Sequence, residues 1–276
     1  MINEVININT GSESRSDYQP TLTTYIIDKV PLNGANVKKR PAIIICPGGG
    51  YAYTSDREAE PVAIQMAARG FHSFVLRYSC TPAVFPTALL ELAKAVWIVR
   101  TNADRWNIDE NKIIVCGFSA GGHLAASLAT FWSKEFVWKT LGADKEMLRP
   151  DGAILCYPVI TSGEFAHRGS FDNALAEDKD NAVKLELLSL EKQANSLMPP
   201  VFIWHTWEDN AVPVENSLIL AEALRKAGIS TELHIYPHGC HGLSLANEET
   251  CDGRADLVVP VCQGWIDSAA AWVKNL

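Results

Sequence analysis

Apolar and polar positions along the chain fall into two alternating patterns. The run Ala42-Ile43-Ile44-Ile45-Cys46 is unbroken, as in a strand buried on both faces. Further strands read at 71–76, 113–116, 153–157, 201–205 and 232–236. Helical spacing fills the gaps between them. Leu89, Leu92, Ala93, Val96 and Val99 place a long amphipathic helix over 87–102. A second helix is predicted over 61–69, with Pro61 in its first turn and Gly70 past its end. The spacing of Ser55 and Glu58 also fits a capping box, which would start that helix earlier. Two more helices read at 215–226, ended by Gly228, and at about 261–273. The segments 5–8 and 23–27 read as edge strands of an antiparallel start. Strand and helix in alternation predict an α/β protein, with a mostly parallel central sheet and helices on both faces.

Two stretches depart from that alternation. Residues 131–149 carry Phe131, Trp132, Phe136 and Trp138, and residues 162–198 combine a charged run at 177–180 with a leucine-rich one. Connections this long in a compact domain are functional or hold helices of their own. Both are expected as small helical insertions near the mouth of a site, within a single domain spanning 1–276; 162–198 reads equally as a solvated helical excursion with no substrate contact.

Composition narrows the reading only a little. With 276 residues, 47% hydrophobic and 20% charged, the chain can bury a sizeable core. Its formal net charge of −8 argues against nucleic-acid and anionic-membrane partners. No signal-peptide pattern opens the sequence and no apolar stretch reaches the length of a membrane span. Seven scattered cysteines, three of them in strand-like runs, suit a reduced cytoplasmic protein.

The chemistry gathers where strands end. Gly117-Phe118-Ser119-Ala120-Gly121-Gly122-His123 follows one strand and opens a helical run from Leu124. Strand, tight turn with a central serine, then helix is the context of a nucleophile elbow; alone, the motif is also a glycine-rich turn with a capping serine. A serine nucleophile needs a base held by a carboxylate. His241 stands in the loop after the strand 232–236, with His238 as its rival there, and either Asp209 or Glu208 stands in the loop after 201–205. His123 and His205 fall inside elements and read as packing residues, while His72, His167 and His234 carry no particular context. Pro47-Gly48-Gly49-Gly50-Tyr51, after the first long strand, offers exposed backbone amides for an oxyanion, and the amide of Ala120 offers another. That loop lacks the endings of a phosphate loop. His238, Cys240 and His241 make no clean zinc spacing, so no metal and no organic cofactor is expected.

On these segments, together with Trp204 to Asp209, Val212-Pro213 and His241-Gly242, the chain resembles the α/β-hydrolase superfamily over nearly its whole length. It is most similar to bacterial carboxylesterases related to hormone-sensitive lipase and to acetyl-xylan-esterase-like enzymes. The resemblance implies Ser119 as nucleophile, His241 as base and Asp209 as acid, because the acid in such families commonly precedes a valine by three residues. It implies Gly49, Gly50 and Ala120 as oxyanion donors, small ester substrates, and homo-oligomers in some members. The implied activity is hydrolysis of short-chain, foremost acetyl, esters. Other triad hydrolases, such as small peptidases or amidases, and catalytically silent ligand-binding relatives share the same fold. One departure is Pro47, where the lipase-like pattern has a histidine before the three glycines; the glycine loop here lacks that side-chain brace.

Overall fold

The computed structural model describes residues 1–11, 18–28 and 39–276. Eight strands form one sheet: β1 (Val5–Asn7), β2 (Thr21–Tyr25), β3 (Arg40–Cys46), β4 (His72–Arg77), β5 (Ile108–Phe118), β6 (Gly152–Cys156), β7 (Val201–Thr206) and β8 (Thr231–Tyr236). Their order across the sheet is β1-β2-β4-β3-β5-β6-β7-β8. β1 and β2 pair antiparallel at one edge, β2 runs antiparallel to β4, and every other pair is parallel. The predicted antiparallel start and parallel body are both present.

The apolar runs explain the layering. Successive side chains of β3 point to opposite faces, so Ile44 joins one core and Ile43 and Ile45 join the other. One face is covered by α2 (Thr87–Thr101), α3 (Ala103–Trp106), α4 (Ala120–Phe131), α5 (Glu135–Leu141), α6 (Arg168–Leu175), α7 (Ala182–Leu188) and α8 (Glu215–Lys226). The other is covered by α1 (Glu60–Ala68) and α9 (Trp265–Asn275), whose Trp265 stacks on Trp204 of β7 with ring centroids 5.2 Å apart. The central strands are therefore buried on both sides, which is why they carry Ile, Val and Cys without a polar alternation.

Several local expectations are corrected. The strand predicted at 113–116 begins at Ile108 and ends at Phe118; its early part, Asp109 to Lys112, is too polar to read as sheet. Asn107, at φ 58°, turns the chain out of the unforeseen α3 into it. The final helix starts later than predicted, because Pro260–Cys262 forms a separate 3₁₀ turn before α9. The capping box at Ser55 and Glu58 is not formed: Ser55 makes no side-chain cap, and α1 opens at Glu60 with Pro61 behind it.

The insertions differ in placement. Residues 131–149 pack on α2 rather than over the strand ends. Phe136 sits 6.0 Å from Phe85 and 5.9 Å from Phe131, centroid to centroid, and Arg100 of α2 donates to Met147 O and to Asp151. Residues 162–198 hold α6, α7 and two 3₁₀ turns, and α6 reaches the glycine loop, where Asn173 Nδ2 donates to Gly50 O at 2.9 Å. Among the described residues, no helix is long and apolar enough to cross a membrane. All seven cysteines are unpaired.

Candidate active site

The elbow is built by close backbone approach. β5 ends at Phe118, α4 begins at Ala120, and Ser119 between them has φ 55° and ψ −119°. A non-glycine residue in that region is strained and persists only where its surroundings hold it. Here they do: Ser119 N donates to Cys156 O at 3.0 Å, and Ser119 O accepts from Val159 N at 3.1 Å. The turn also needs glycine next to it. A Cβ on Gly117 would lie 2.0 Å from Gly121 O, and one on Gly121 would lie 2.1 Å from Cys46 O.

The carboxylate and the histidine arrive from the loops after β7 and β8. Ser119 Oγ lies 2.8 Å from His241 Nε2, and His241 Nδ1 lies 2.6 Å from Asp209 Oδ2. An ionised carboxylate only accepts, so Nδ1–H donates to Asp209 and Nε2 is left to accept the serine hydroxyl. Asp209 follows β7, and its Oδ1 accepts from the amides of Ala211 and Val212 at 3.0 and 2.9 Å. Burial alone would raise its carboxyl; hydrogen bonds from His205 and His241, with their charge, outweigh that and hold it well below the usual carboxylate range. Glu208 points elsewhere and is bonded to exposed His238 at 3.0 Å.

The glycine loop faces this row. Gly49 (φ 129°) and Gly50 (φ 63°) adopt backbone that L-residues rarely reach, with their carbonyls tied back to Ala52 and Tyr53 and to Asn173. Among the described residues, the amides of Gly49, Gly50 and Ala120 donate to no protein acceptor. Gly48 N is already committed, donating to Glu58 Oε2 at 2.8 Å.

With serine, histidine, carboxylate and glycine loop at one sheet edge, the comparison with known proteins is decisive for kinship. The BD-FAE family model matches residues 30–224, which include Ser119 and Asp209 and end before His241. The chain belongs to the BD-FAE family. This BD-FAE chain is 39% identical over 219 residues to endo-1,4-beta-xylanase B of Butyrivibrio fibrisolvens, covering 78% of this chain and 34% of that protein. It is 32% identical to an acetylxylan esterase of Xylanibacter ruminicola, covering 74% and 41% respectively. It thus spans less than half the length of these two relatives. Among solved structures it is similar to an acetyl ester-xyloside bifunctional hydrolase from Caldicellulosiruptor lactoaceticus, with a TM-score of 0.79 and 39% identity over 94% of this chain and 89% of that one. The architecture is that of the α/β-hydrolases.

In this BD-FAE protein the residues brought together are those singled out in the sequence: Ser119, Asp209, His241, Gly49, Gly50 and Ala120. Of these, Gly49, Gly50, Ser119 and His241 border a cleft of about 360 Å³. Three more of its lining residues carried no usable signal. His167, at the start of α6, bonds Ser170 Oγ through Nδ1 at 2.8 Å; burial, and then the nearby His241, lower its pKa. Arg57 and Glu58 line the cleft from the 3₁₀ turn before α1. His123 is a packing residue, as expected, held between Tyr51 OH at 2.8 Å and Leu188 O at 2.9 Å. His205 does more than pack: its Nε2 meets Asp209 Oδ2 at 3.2 Å and Val212 O at 3.0 Å, and its Nδ1 meets Ser217 Oγ. Nε2 therefore carries the proton, and His205 steadies the carboxylate from behind. Among the described residues, no group of three or more His, Cys, Asp or Glu could hold a metal ion.

Proposed function

We propose that the protein is a serine carboxylic ester hydrolase acting on short-chain acyl esters, acetyl esters foremost. The observation that carries this reading is the unbroken bond path from Ser119 Oγ through His241 to Asp209, at 2.8 and 2.6 Å, opposite the unengaged amides of Gly49, Gly50 and Ala120. Ser119 Oγ attacks the ester carbonyl as its proton passes to His241 Nε2. Asp209 orients the ring and stabilises the imidazolium. The carbonyl oxygen becomes an oxyanion against the three amides, each contributing about 3–4 kcal/mol to the transition state. Collapse expels the alcohol with the proton from His241. Water then gives its proton to His241, attacks the acyl-enzyme, and the acid leaves as Ser119 regains its hydrogen.

Two features support a small acyl group. Arg57, Glu58 and His167 make the cleft wall polar. The separate apolar cavity behind Tyr51, beside Phe85, Leu89 and Leu124, measures only about 20 Å³, room for about one water and not for an acyl chain. The relatives named for acetylxylan and acetyl ester-xyloside hydrolysis support an acetylated carbohydrate as the natural substrate class.

The test is hydrolysis of p-nitrophenyl acetate, butyrate and octanoate by the wild type and by Ser119→Ala. Acetate and butyrate turnover that vanishes in the variant is the expected result. Equal rates in the two proteins would remove Ser119 from the chemistry. Rates rising steadily with chain length would overturn the short-acyl assignment.

A further inference from the structure

Glu58 is a buried carboxylate, 3% exposed, that the mechanism above does not use. Burying such a group is costly unless its lone pairs are engaged. Among the described residues it pairs with no cation; two hydrogen-bond donors meet it instead. Gly48 N donates to Oε2 at 2.8 Å, and Tyr157 OH donates to Oε1 at 2.6 Å. The same tyrosine oxygen accepts from Ser244 N at 2.8 Å. A continuous path thus runs from the loop of Gly48, Gly49 and Gly50, through Glu58 and Tyr157, to the loop that carries His241. The ring of Tyr157 also stands edge-on to that of His241, with centroids 5.1 Å apart and planes at 74°. Arg57 doubles the connection. Its guanidinium donates to Gly242 O at 2.7 Å and to Thr250 O at 2.6 Å, and its carbonyl accepts from Ser244 Oγ at 2.6 Å.

We infer that Glu58 is a positioning residue, which fixes the oxyanion amides relative to the base through Gly48 on one side and Tyr157 and Ser244 on the other. This rests on the esterase reading above. It also accounts for Pro47, since the brace missing from the start of the glycine loop is supplied from the 3₁₀ turn at Asp56–Glu58. A carboxylate accepts at both of its oxygens; a glutamine accepts at one only, so either Gly48 N–H loses its acceptor or the Tyr157 hydroxyl must stop donating and turn to accept from the new N–H₂, which breaks the path as built. Misplaced donors weaken transition-state stabilisation and leave substrate binding largely intact.

The experiment compares the wild type, Ser119→Ala, Glu58→Gln, Tyr157→Phe and the double variant Glu58→Gln/Tyr157→Phe. For each we would measure kcat and KM on p-nitrophenyl acetate and inhibition by phenylboronic acid, which forms a tetrahedral adduct with a serine nucleophile. Expected for Glu58→Gln is a loss of about 10–100-fold in kcat, KM within about threefold, and a matching weakening of the boronate. The double variant should be no worse than Glu58→Gln, because both substitutions cut the same hydrogen-bond path. Thermal melts establish that each variant is folded at the assay temperature. Tyr157→Phe, which keeps the ring in place, carries the test if Glu58→Gln does not fold. Turnover lost with Ser119→Ala but kept in Glu58→Gln, or in Tyr157→Phe where that variant stands in, overturns the positioning role alone. A loss confined to KM, with the boronate unaffected, overturns it too. Absent wild-type turnover, or turnover indifferent to Ser119, overturns the esterase reading and this inference with it.

Discussion

Asp209 is held from four sides, and this decides what a substitution there can do. Two backbone amides meet Oδ1, and two imidazoles meet Oδ2. An asparagine can keep one set of partners only by turning its amide nitrogen against the other. Asp209→Asn should therefore disturb the tautomer of His241 and cost about 10³–10⁴-fold in kcat with p-nitrophenyl acetate, while the fold persists. The depressed carboxyl also stabilises the native state. That contribution is fully present above the unfolded pKa of about 3.9 and is lost only as pH falls through the lower folded value. The residues of the serine–histidine–carboxylate row were legible in the sequence because each sits in a short motif directly after a strand. Choosing Asp209 over Glu208 took the valine three residues on, and the bond from Val212 N at 2.9 Å gives that spacing a physical cause. Glu58, Tyr157 and the carboxylate contact of His205 were not legible. Each depends on chain segments far apart in sequence, and Ser55 with Glu58 read as a local cap because local spacing was the only information at hand.

At the level of elements, the junction of β3, β5 and α4 leaves no room for a side chain at Gly117 or Gly121. The end of β3 presses against the first turn of α4, and a methyl group at 121 would overlap backbone rather than a movable side chain. Gly121→Ala should cost on the order of 3 kcal/mol or more, read as a lower urea midpoint, and should abolish turnover with it. The glycine loop is tied into the next layer by Tyr51, whose hydroxyl donates to His123 Nδ1 while Nε2–H donates to Leu188 O. Burial lowers His123 to about 4, so its ring is neutral at ordinary pH. As pH falls from the unfolded value near 6.5 through about 4, the unfolded chain takes up a proton that the folded ring resists, and stability drains away. Acid melts of wild type and His123→Gln should separate near neutrality and converge below about pH 4, with the variant less sensitive to acid. Helices and strands with one clean period were readable from the sequence. α3 and the early part of β5 were not, since Asp109, Glu110, Asn111 and Lys112 are polar and fall in the register shift between the pairs Arg40–Ile108 and Ala42–Ile113, where no strand pattern marks them.

Over the whole molecule, buried titratable groups pull stability in opposite directions with pH. Glu91 of α2 accepts two bonds from Ser79, yet burial prevails and raises its carboxyl to about 7. A raised carboxyl contributes stability below its unfolded pKa that is lost as pH climbs through the folded one. Glu91→Gln, which can still exchange hydrogen bonds with Ser79, should match the wild type near pH 4.5 and exceed it above pH 7. The gap in unfolding free energy at alkaline pH should be on the order of 3 kcal/mol. The sheet order has a consequence of another kind. Ser119 and His241 are 122 residues apart in sequence, and the strands that present them, β5 and β8, are separated in the sheet by β6 and β7. Closing so long a stretch of chain is slow compared with forming local helices. The reacting groups therefore meet only when the last strands have docked. During refolding, turnover should return after most of the helical signal, so that catalysis serves as a clock for the final step of assembly.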